Sequence, residues 1–234
     1  MSDKLLIPSI EQRLAALLEV SRRNLRGCSK TEQAKTKPTI TISREFGCEA
    51  FPLTDRLKTL LEEKTGAVWS VMDKALLEEV AKRHDLATEI FETLGEKRHS
   101  FIDDVISTFS PRWQSDKDYY RLLCKQIIAL ATVGNVIIVG RGSSIVTQKM
   151  ENCFHFRILA PMPFKIKSIR ERMNLGPDEA EKLINKKQKQ RDAFINDFLY
   201  QDVKDPYLYH LIFNNAKNSP EVMARVICNY VTGS

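Results

Sequence analysis

The feature that most constrains this chain is a regular alternation of short, apolar, β-branched runs with stretches of helical spacing. The run 136–139, Val-Ile-Ile-Val between two glycines, suits a strand that is buried on both faces of a sheet. Strands that alternate with helices are joined by right-handed crossovers, which gives a parallel sheet covered by helices on both faces. We therefore predict a three-layer α/β fold around a five-stranded parallel sheet. The predicted strands are 39–43, 67–71, 136–139, 154–159 and 209–213, and the predicted helices are 51–64, 73–84, 86–133, 163–173, 177–199 and 220–230.

The first 37 residues stand apart from this pattern. Apolar residues recur at three- to four-residue spacing among charges over 9–26, which predicts an amphipathic helix, and 28–37 is a polar stretch typical of a linker. We predict that 1–37 is an added helix and linker, used for packing or for homo-oligomerisation. The core domain is then 38–234.

Composition limits the compartment and the partners. No run approaches the roughly 18 apolar residues of a membrane span, and the N-terminus carries acidic residues without the apolar core of a secretory signal. The five cysteines are scattered, and none forms a C-x-x-C pair or stands at metal-ligand spacing from a histidine. We therefore expect a cytoplasmic protein with no metal site of its own. The net charge of +6 favours anionic ligands, without separating nucleotides from nucleic acid.

Ligands of open parallel sheets bind where strands end and helices begin, and three such places carry unusual residues. The first is 43–50, Ser-Arg-Glu-Phe-Gly-Cys-Glu-Ala, after the first predicted strand. A loop here can hold phosphate oxygens with backbone N–H groups and a helix N-terminus. The lysine and the Ser/Thr of the usual phosphate loop are missing, since Ala50 and Phe51 or Pro52 stand in their places. An ordinary β–α turn also explains this stretch.

The second place is Gly140-Arg141-Gly142, followed by two serines, at the end of the most apolar strand. A guanidinium held between two glycines there can form a fork onto a phosphate. The alternative is an arginine in a surface salt bridge. The third place is a basic region with Arg170 and Arg172, followed by Lys187 and Arg191 on one helical face. This region is either a solvated charged face or a lid that brings arginines over phosphates.

Taken in order, several stretches resemble the cytidylate kinase-like family of P-loop kinases. They are ITISREFG (40–47), MDKALLEEVAKRH (72–84), NVIIVGRGSS (135–144), the long stretch 158–198 and DPYLYHLIFNN (205–215). The resemblance covers about 38–231 and leaves out the N-terminal helix. It implies a P-loop kinase-like fold with a helical acceptor-binding segment at 86–133 and a lid at about 170–200.

The resemblance also implies roles for particular residues. The donor would be ATP, and its Mg²⁺ would be held mainly by substrate phosphates and water, since no dedicated protein ligand is visible in the sequence. Donor phosphates would lie on the backbone of Arg44, Glu45, Phe46, Gly47 and Cys48, and the acceptor beside Asp73, Lys74 and Arg141. The lid would supply Arg170, Arg172 and Arg191, which with Arg141 form the catalytic set. The adenine would be bordered by Asn214, Asn215 and Ala216.

Two departures from the family pattern bear on activity. A glycine-rich run follows the Gly47 position in many relatives, where this chain has Cys-Glu-Ala-Phe-Pro, and Gln188 and Gln190 stand where a carboxylate is expected. The leading hypothesis is ATP-dependent phosphoryl transfer to a nucleoside monophosphate (CMP-like) or another small phosphate-bearing acceptor. The alternative is a pseudokinase, a regulatory protein that binds nucleotide without transfer. Nucleic-acid binding ranks below both, because the basic residues are mixed with acidic ones and no recognised motif is present.

Overall fold

The sheet is the centre of the molecule and has five parallel strands. A computed structural model describes residues 37–82 and 116–233. Every neighbouring pair of strands is parallel, as the sequence predicts. Their spatial order is β2-β3-β1-β4-β5. The strands are β1 (Thr39–Arg44), β2 (Ser70–Met72), β3 (Val136–Val139), β4 (Cys153–Leu159) and β5 (Leu211–Asn214).

Helices connect successive strands and cover both faces of the sheet. The predicted helix at 9–26, the end of the helix predicted at 73–84 and the first part of the helical segment at 86–133 lie outside the described residues. Within the described ranges, no helix is long and apolar enough to cross a membrane. The helices are α1 (Ala50–Thr65), α2 (Lys74–Lys82), α3 (Asp116–Val133), α4 (Ser143–Val146), α5 (Met162–Met173), α6 (Pro177–Leu199) and α7 (Pro220–Thr232), and a 3₁₀ turn covers Pro206–Leu208.

The second strand begins three residues later than the sequence predicts. The N–H of Trp69 donates to the carboxylate of Glu62 (2.9 Å), and the N–H of Ala67 donates to the hydroxyl of Thr65 (3.3 Å). These bonds use the backbone of 67–69 to close the end of α1. The ladder with β3 therefore starts only at Ser70.

Two apolar clusters, one on each face of the sheet, form the core. Ile40 and Ile42 of β1 pack with α1 and α7 on one face. On the other face Ile138 of β3 packs with α3 and with the end of α6. This is the three-layer arrangement that the alternating pattern predicts, because a strand buried on both faces needs a helix layer on each side.

The α3–α6 face of the sheet becomes polar toward the carboxyl ends of β1 and β4. Thr41 lies opposite His155 in the register, and Ser43 lies opposite Arg157. The Thr41 hydroxyl and His155 Nδ1 are hydrogen-bonded at 2.8 Å, and Arg157 donates to Ser43 Oγ at 3.0 Å. Since the apolar cluster ends here, this corner of the interior can receive a polar ligand.

Buried His155 should make stability depend on pH. Burial, with a further contribution from His210, lowers the pKa of His155 to about 4, against about 6.5 for an unfolded chain. The folded protein therefore binds fewer protons than the unfolded one between these values, and stability falls as the pH drops from 6.5 toward 4. We expect His155 to cost about 2 kcal/mol of unfolding free energy at pH 5 relative to pH 7. Urea unfolding of the wild type and His155→Gln at both pH values tests this, and an equal pH dependence of the two proteins contradicts it.

Candidate functional site

Two adjoining cavities open at the carboxyl ends of the strands. The first has a volume of about 370 Å³ and lies between the end of β3, the end of β1 and helix α6. The second, about 330 Å³, lies between the loop after β1 and helix α5. Arg44, Phe46 and Arg191 line both cavities and so form their common wall. The structure thus places the first two predicted regions, 43–50 and 140–144, at one edge of the sheet.

The Gly140-Arg141-Gly142 turn has an unusual backbone. All three residues have positive φ, of 79°, 57° and 69°, and for a non-glycine residue such as Arg141 this conformation is uncommon. A Cβ on Gly140 would collide with the guanidinium of Arg44, and one on Gly142 would lie 2.9 Å from the Tyr120 hydroxyl. The glycines therefore let two arginines and the α3–α6 helices meet at the cavity wall.

Arg141 is inside the cavity and is ion-paired. Its guanidinium pairs with Glu78 of α2 and lies 4.7 Å from the centre of the Phe194 ring. The Tyr120 hydroxyl donates to the Arg141 carbonyl oxygen at 3.1 Å, while the buried Nε of Arg141 has no hydrogen-bond partner among the residues that the structure describes. Arg141 thus has the salt bridge of the alternative interpretation, but within the first cavity and with only 15% of its side chain exposed.

The cations of the first cavity repel one another. Burial, followed by the charge of Arg191, lowers the pKa of Arg44 to about 9, and Asp73 partly offsets the effect. Burial also lowers the pKa of Lys74, with further lowering from Arg141, Lys187, Arg191 and Arg44. Lys187 lines the same cavity. An anion bound among these groups would relieve the repulsion, so the cavity is suited to a ligand with negative charge.

In the loop after β1, two backbone donors already have side-chain acceptors. The N–H of Phe46 donates to Gln188 Oε1 and the N–H of Glu49 to Asn215 Oδ1, both at 2.8 Å. Gly47 has φ +102°, and a Cβ there would lie 2.7 Å from Cβ of Lys165. The loop is therefore tied to α6 and to the end of β5, with amide oxygens at two of its N–H groups.

A lysine from α5 supports the same loop from outside the cavities. Lys165 is buried, and its ammonium group pairs with Glu45 Oε2 at 2.9 Å. The same carboxylate oxygen accepts from the N–H of Ala160 at 3.4 Å. Lys165 lines neither cavity, so it holds the loop against α5 and neutralises Glu45.

The predicted lid arginines occupy different places. Arg191 lies 5.0 Å from the centre of the Phe46 ring and donates to the Arg44 carbonyl at 3.3 Å. Arg172 lines the second cavity and donates to the Gly47 carbonyl at 3.2 Å. Arg170 is exposed and lines neither cavity, so its predicted role stays a prediction.

The other predicted residues lie at the ends of strands. Asp73 caps α2 by accepting from the N–H of Leu76 at 3.0 Å, and exposed Lys74 lines the first cavity. Cys48 lines the second cavity, where burial raises the pKa of its thiol to about 11. Asn215 is buried at the end of β5, and Asn214 accepts from the N–H of Ala216 at 3.0 Å. Neither Asn214 nor Ala216 lines the first or the second cavity, so the predicted adenine border remains a prediction.

The sequence interpretation missed Arg157 and Lys165. Arg157 is a charged residue within an apolar strand, which is the local signal it gives, whereas Lys165 lies near the start of helix α5 and looks like an ordinary helix lysine in the sequence. Arg157 lines the first cavity and is 4% exposed. Among residues 37–82 and 116–233, no group of three or more His, Cys, Asp and Glu side chains is placed to hold a metal ion.

The parallel sheet and the cation-lined cavities at its carboxyl edge define an open-sheet α/β protein with a candidate ligand site where its strands end. The chain belongs to the cytidylate kinase-like family, whose model matches residues 39–217.

Two solved structures are similar to this chain, and the first of them has the same fold. One is an uncharacterized protein from Eubacterium ventriosum ATCC 27560, 23% identical, with a TM-score of 0.61 over 85% of this chain and 99% of that chain. Another is shikimate kinase from Bacteroides thetaiotaomicron, 13% identical, with a TM-score of 0.42 over 84% of this chain and 99% of that chain. No curated protein matches the chain.

Proposed function

We propose that this protein transfers a phosphoryl group from ATP to a nucleoside monophosphate, CMP-like, or to a related small phosphate-bearing acceptor. The observation that carries the proposal is the common wall of the two cavities. Two adjoining spaces that share two arginines suit a reaction in which one phosphoryl group passes from a donor to an acceptor. Such a transfer needs in-line positioning and neutralisation of charge more than covalent chemistry.

In this proposal the second cavity takes the donor phosphates and the first takes the acceptor. An acceptor oxygen attacks the terminal phosphorus of ATP, the bond to the bridging oxygen breaks, and ADP leaves. Arg44 and Arg191 are closest to both reactants, and Arg172 faces the donor side. Their fixed positive charges would stabilise the charge on the transferring group.

The loop after β1 has backbone N–H donors that suit phosphate oxygens, but the described residues offer no cluster of ligands for Mg²⁺. Gln188 and Asn215 place neutral amide oxygens at the Phe46 and Glu49 N–H groups, so these donors are oriented for oxygen acceptors. Phosphate oxygens would take the same positions after these side chains turn away. The described residues contain no cluster of metal ligands, so Mg²⁺ would be held by the phosphates and water. When bound, it would neutralise the phosphate charge.

The regulatory alternative has an observation of its own. The same two amide oxygens already occupy the loop's N–H groups, and Lys165, which contacts the loop, is paired with Glu45. A protein with these contacts can bind a nucleotide in the first cavity alone. It would then sense the nucleotide without transferring a phosphoryl group.

A panel of nucleoside monophosphates with Mg·ATP separates the two functions. We expect ADP formation above the ATP-only rate with at least one pyrimidine monophosphate, followed by a coupled assay. In parallel, melting temperatures report binding, because a ligand at 100 times its Kd adds about 2.7 kcal/mol to the stability of the native state. Stabilisation by monophosphates without ADP formation supports the regulatory alternative. The absence of both contradicts both functions.

A further inference from the structure

Arg157 is a buried cation on an inner strand of the sheet. Only 4% of the residue is exposed, although Arg157 belongs to β4 and is flanked by apolar residues in the chain. Its guanidinium donates to Ser43 Oγ at 3.0 Å and to the Tyr209 hydroxyl at 3.4 Å, and it lies 5.6 Å from the centre of the Tyr209 ring. All three contacts are to neutral groups.

The positive charge of Arg157 lacks a negatively charged partner among the described residues. In the described part of the chain no carboxylate forms an ion pair with Arg157, whereas Lys165 pairs with Glu45 and Arg141 with Glu78. The Tyr209 hydroxyl cannot supply a charge, since it donates its proton to the Val203 carbonyl at 2.7 Å. Arginine is rarely buried so deeply unless it is paired, because burial removes the hydration of its charge.

The first cavity gives access to this cation. Arg157 and Ser43 both line it, side by side on adjacent strands, and so form part of its floor on the sheet. Arg44, Arg141 and Arg191 line the same space, so a ligand that reaches the floor enters a field of positive charge.

We propose that Arg157 and the Ser43 hydroxyl form an anion-binding subsite on the floor of the first cavity. It holds an anionic oxygen group, phosphate or carboxylate, of the ligand. The anion site itself does not depend on the proposed function; only the identification of its ligand as the phosphoryl acceptor rests on that function. The guanidinium supplies a planar pair of donors for two oxygens, and the serine hydroxyl a third. The charged group of the acceptor is thereby held by Arg157 and Ser43 on the sheet as well as by Arg141.

Titration calorimetry with inorganic phosphate on the wild type and Arg157→Met tests the subsite. Methionine keeps an unbranched apolar side chain over Tyr209 and removes the charge. We expect phosphate to bind about tenfold more weakly or worse to the variant. The melting temperature without phosphate should be unchanged or higher, because a buried unpaired charge has been removed. Succinate in place of phosphate shows whether a carboxylate can occupy the same subsite.

Arg225→Met is the matched control, since Arg225 is exposed on α7, on the other face of the sheet. Its phosphate affinity should stay within about twofold of the wild type, because its removal leaves the cavity charge unchanged. Equal phosphate affinity of Arg157→Met and the wild type overturns the proposal. So does a wild type that binds neither phosphate nor succinate.

A spectroscopic titration of the wild type keeps the test open if Arg157→Met does not fold. The Nε–H resonance of Arg157 is assigned by its loss in Arg157→Lys, and phosphate should shift it with the Kd found by calorimetry. A resonance that stays fixed while phosphate binds elsewhere overturns the subsite. Neither readout requires turnover, so a protein that transfers no phosphoryl group can still show the subsite. Failure of the subsite likewise leaves the transfer assay to decide the proposed function.

Discussion

Replacing Arg191 by methionine is expected to slow phosphoryl transfer by about 10³-fold, on the scale of an arginine that stabilises the transferring group. Arg191 lines both cavities, so it is close to donor and acceptor together. Burial lowers the pKa of Arg191, and the desolvated guanidinium acts more strongly on a nearby charge than one in water. The loss should appear in kcat more than in KM, because the charge to be stabilised is greatest in the transition state.

Stability should change little in the same variant. Methionine retains a contact with the Phe46 ring, and the lost hydrogen bond to the Arg44 carbonyl contributes about 1 kcal/mol. Removal of Arg191 also removes the largest repulsion acting on Arg44, which compensates in part. Lys182→Met is the control, because Lys182 is exposed on the same helix and lines neither cavity. Steady-state rates of the three proteins decide the point, and equal kcat values for both variants would remove Arg191 from the catalytic set.

Gly142→Ala is expected to destabilise the protein by about 2–5 kcal/mol, from backbone strain and overpacking together. The residue has φ +69°, and its new methyl group would collide with Leu199. It would also lie 2.9 Å from the Tyr120 hydroxyl and 3.2 Å from Cδ1 of Ile195. These side chains come from α3 and α6 and are buried, so relief of the collision would require their ends to shift within a packed interior. Urea unfolding measures the change.

Gly66→Ala separates the cost of backbone strain from the cost of overpacking. Gly66 ends α1 with φ +65°, nearly the same backbone conformation, but a Cβ there meets no atom of the described residues within 4 Å. Its substitution should therefore cost about 1 kcal/mol, the conformational contribution alone. If both alanine variants lose the same stability, the close packing around Gly142 carries no energetic weight.

The sequence by itself determined the class of fold, because the signals for it are local. The run Val136–Val139 and the helix Pro177–Leu199 begin and end as predicted, since hydrophobic periodicity and flanking Gly and Pro act over a few residues. Parallel order and the position of the cavities follow from the alternation of elements. The sequence therefore predicted a site residue, Arg141, after the run Val136–Val139, and a phosphate-binding loop after β1.

Only the tertiary structure decided how the polar and charged groups at this edge are paired. Gln188 reaches Phe46 across 142 residues, Asn215 reaches Glu49 across 166, and Lys165 reaches Glu45 across 120. No local pattern encodes such pairs, because they depend on which strands become neighbours and in which register. The same holds for Arg157, which looks like an interruption of an apolar strand until β4 is set beside β1. Its buried charge then lies on the floor of the first cavity, without an ion-paired carboxylate among residues 37–82 and 116–233.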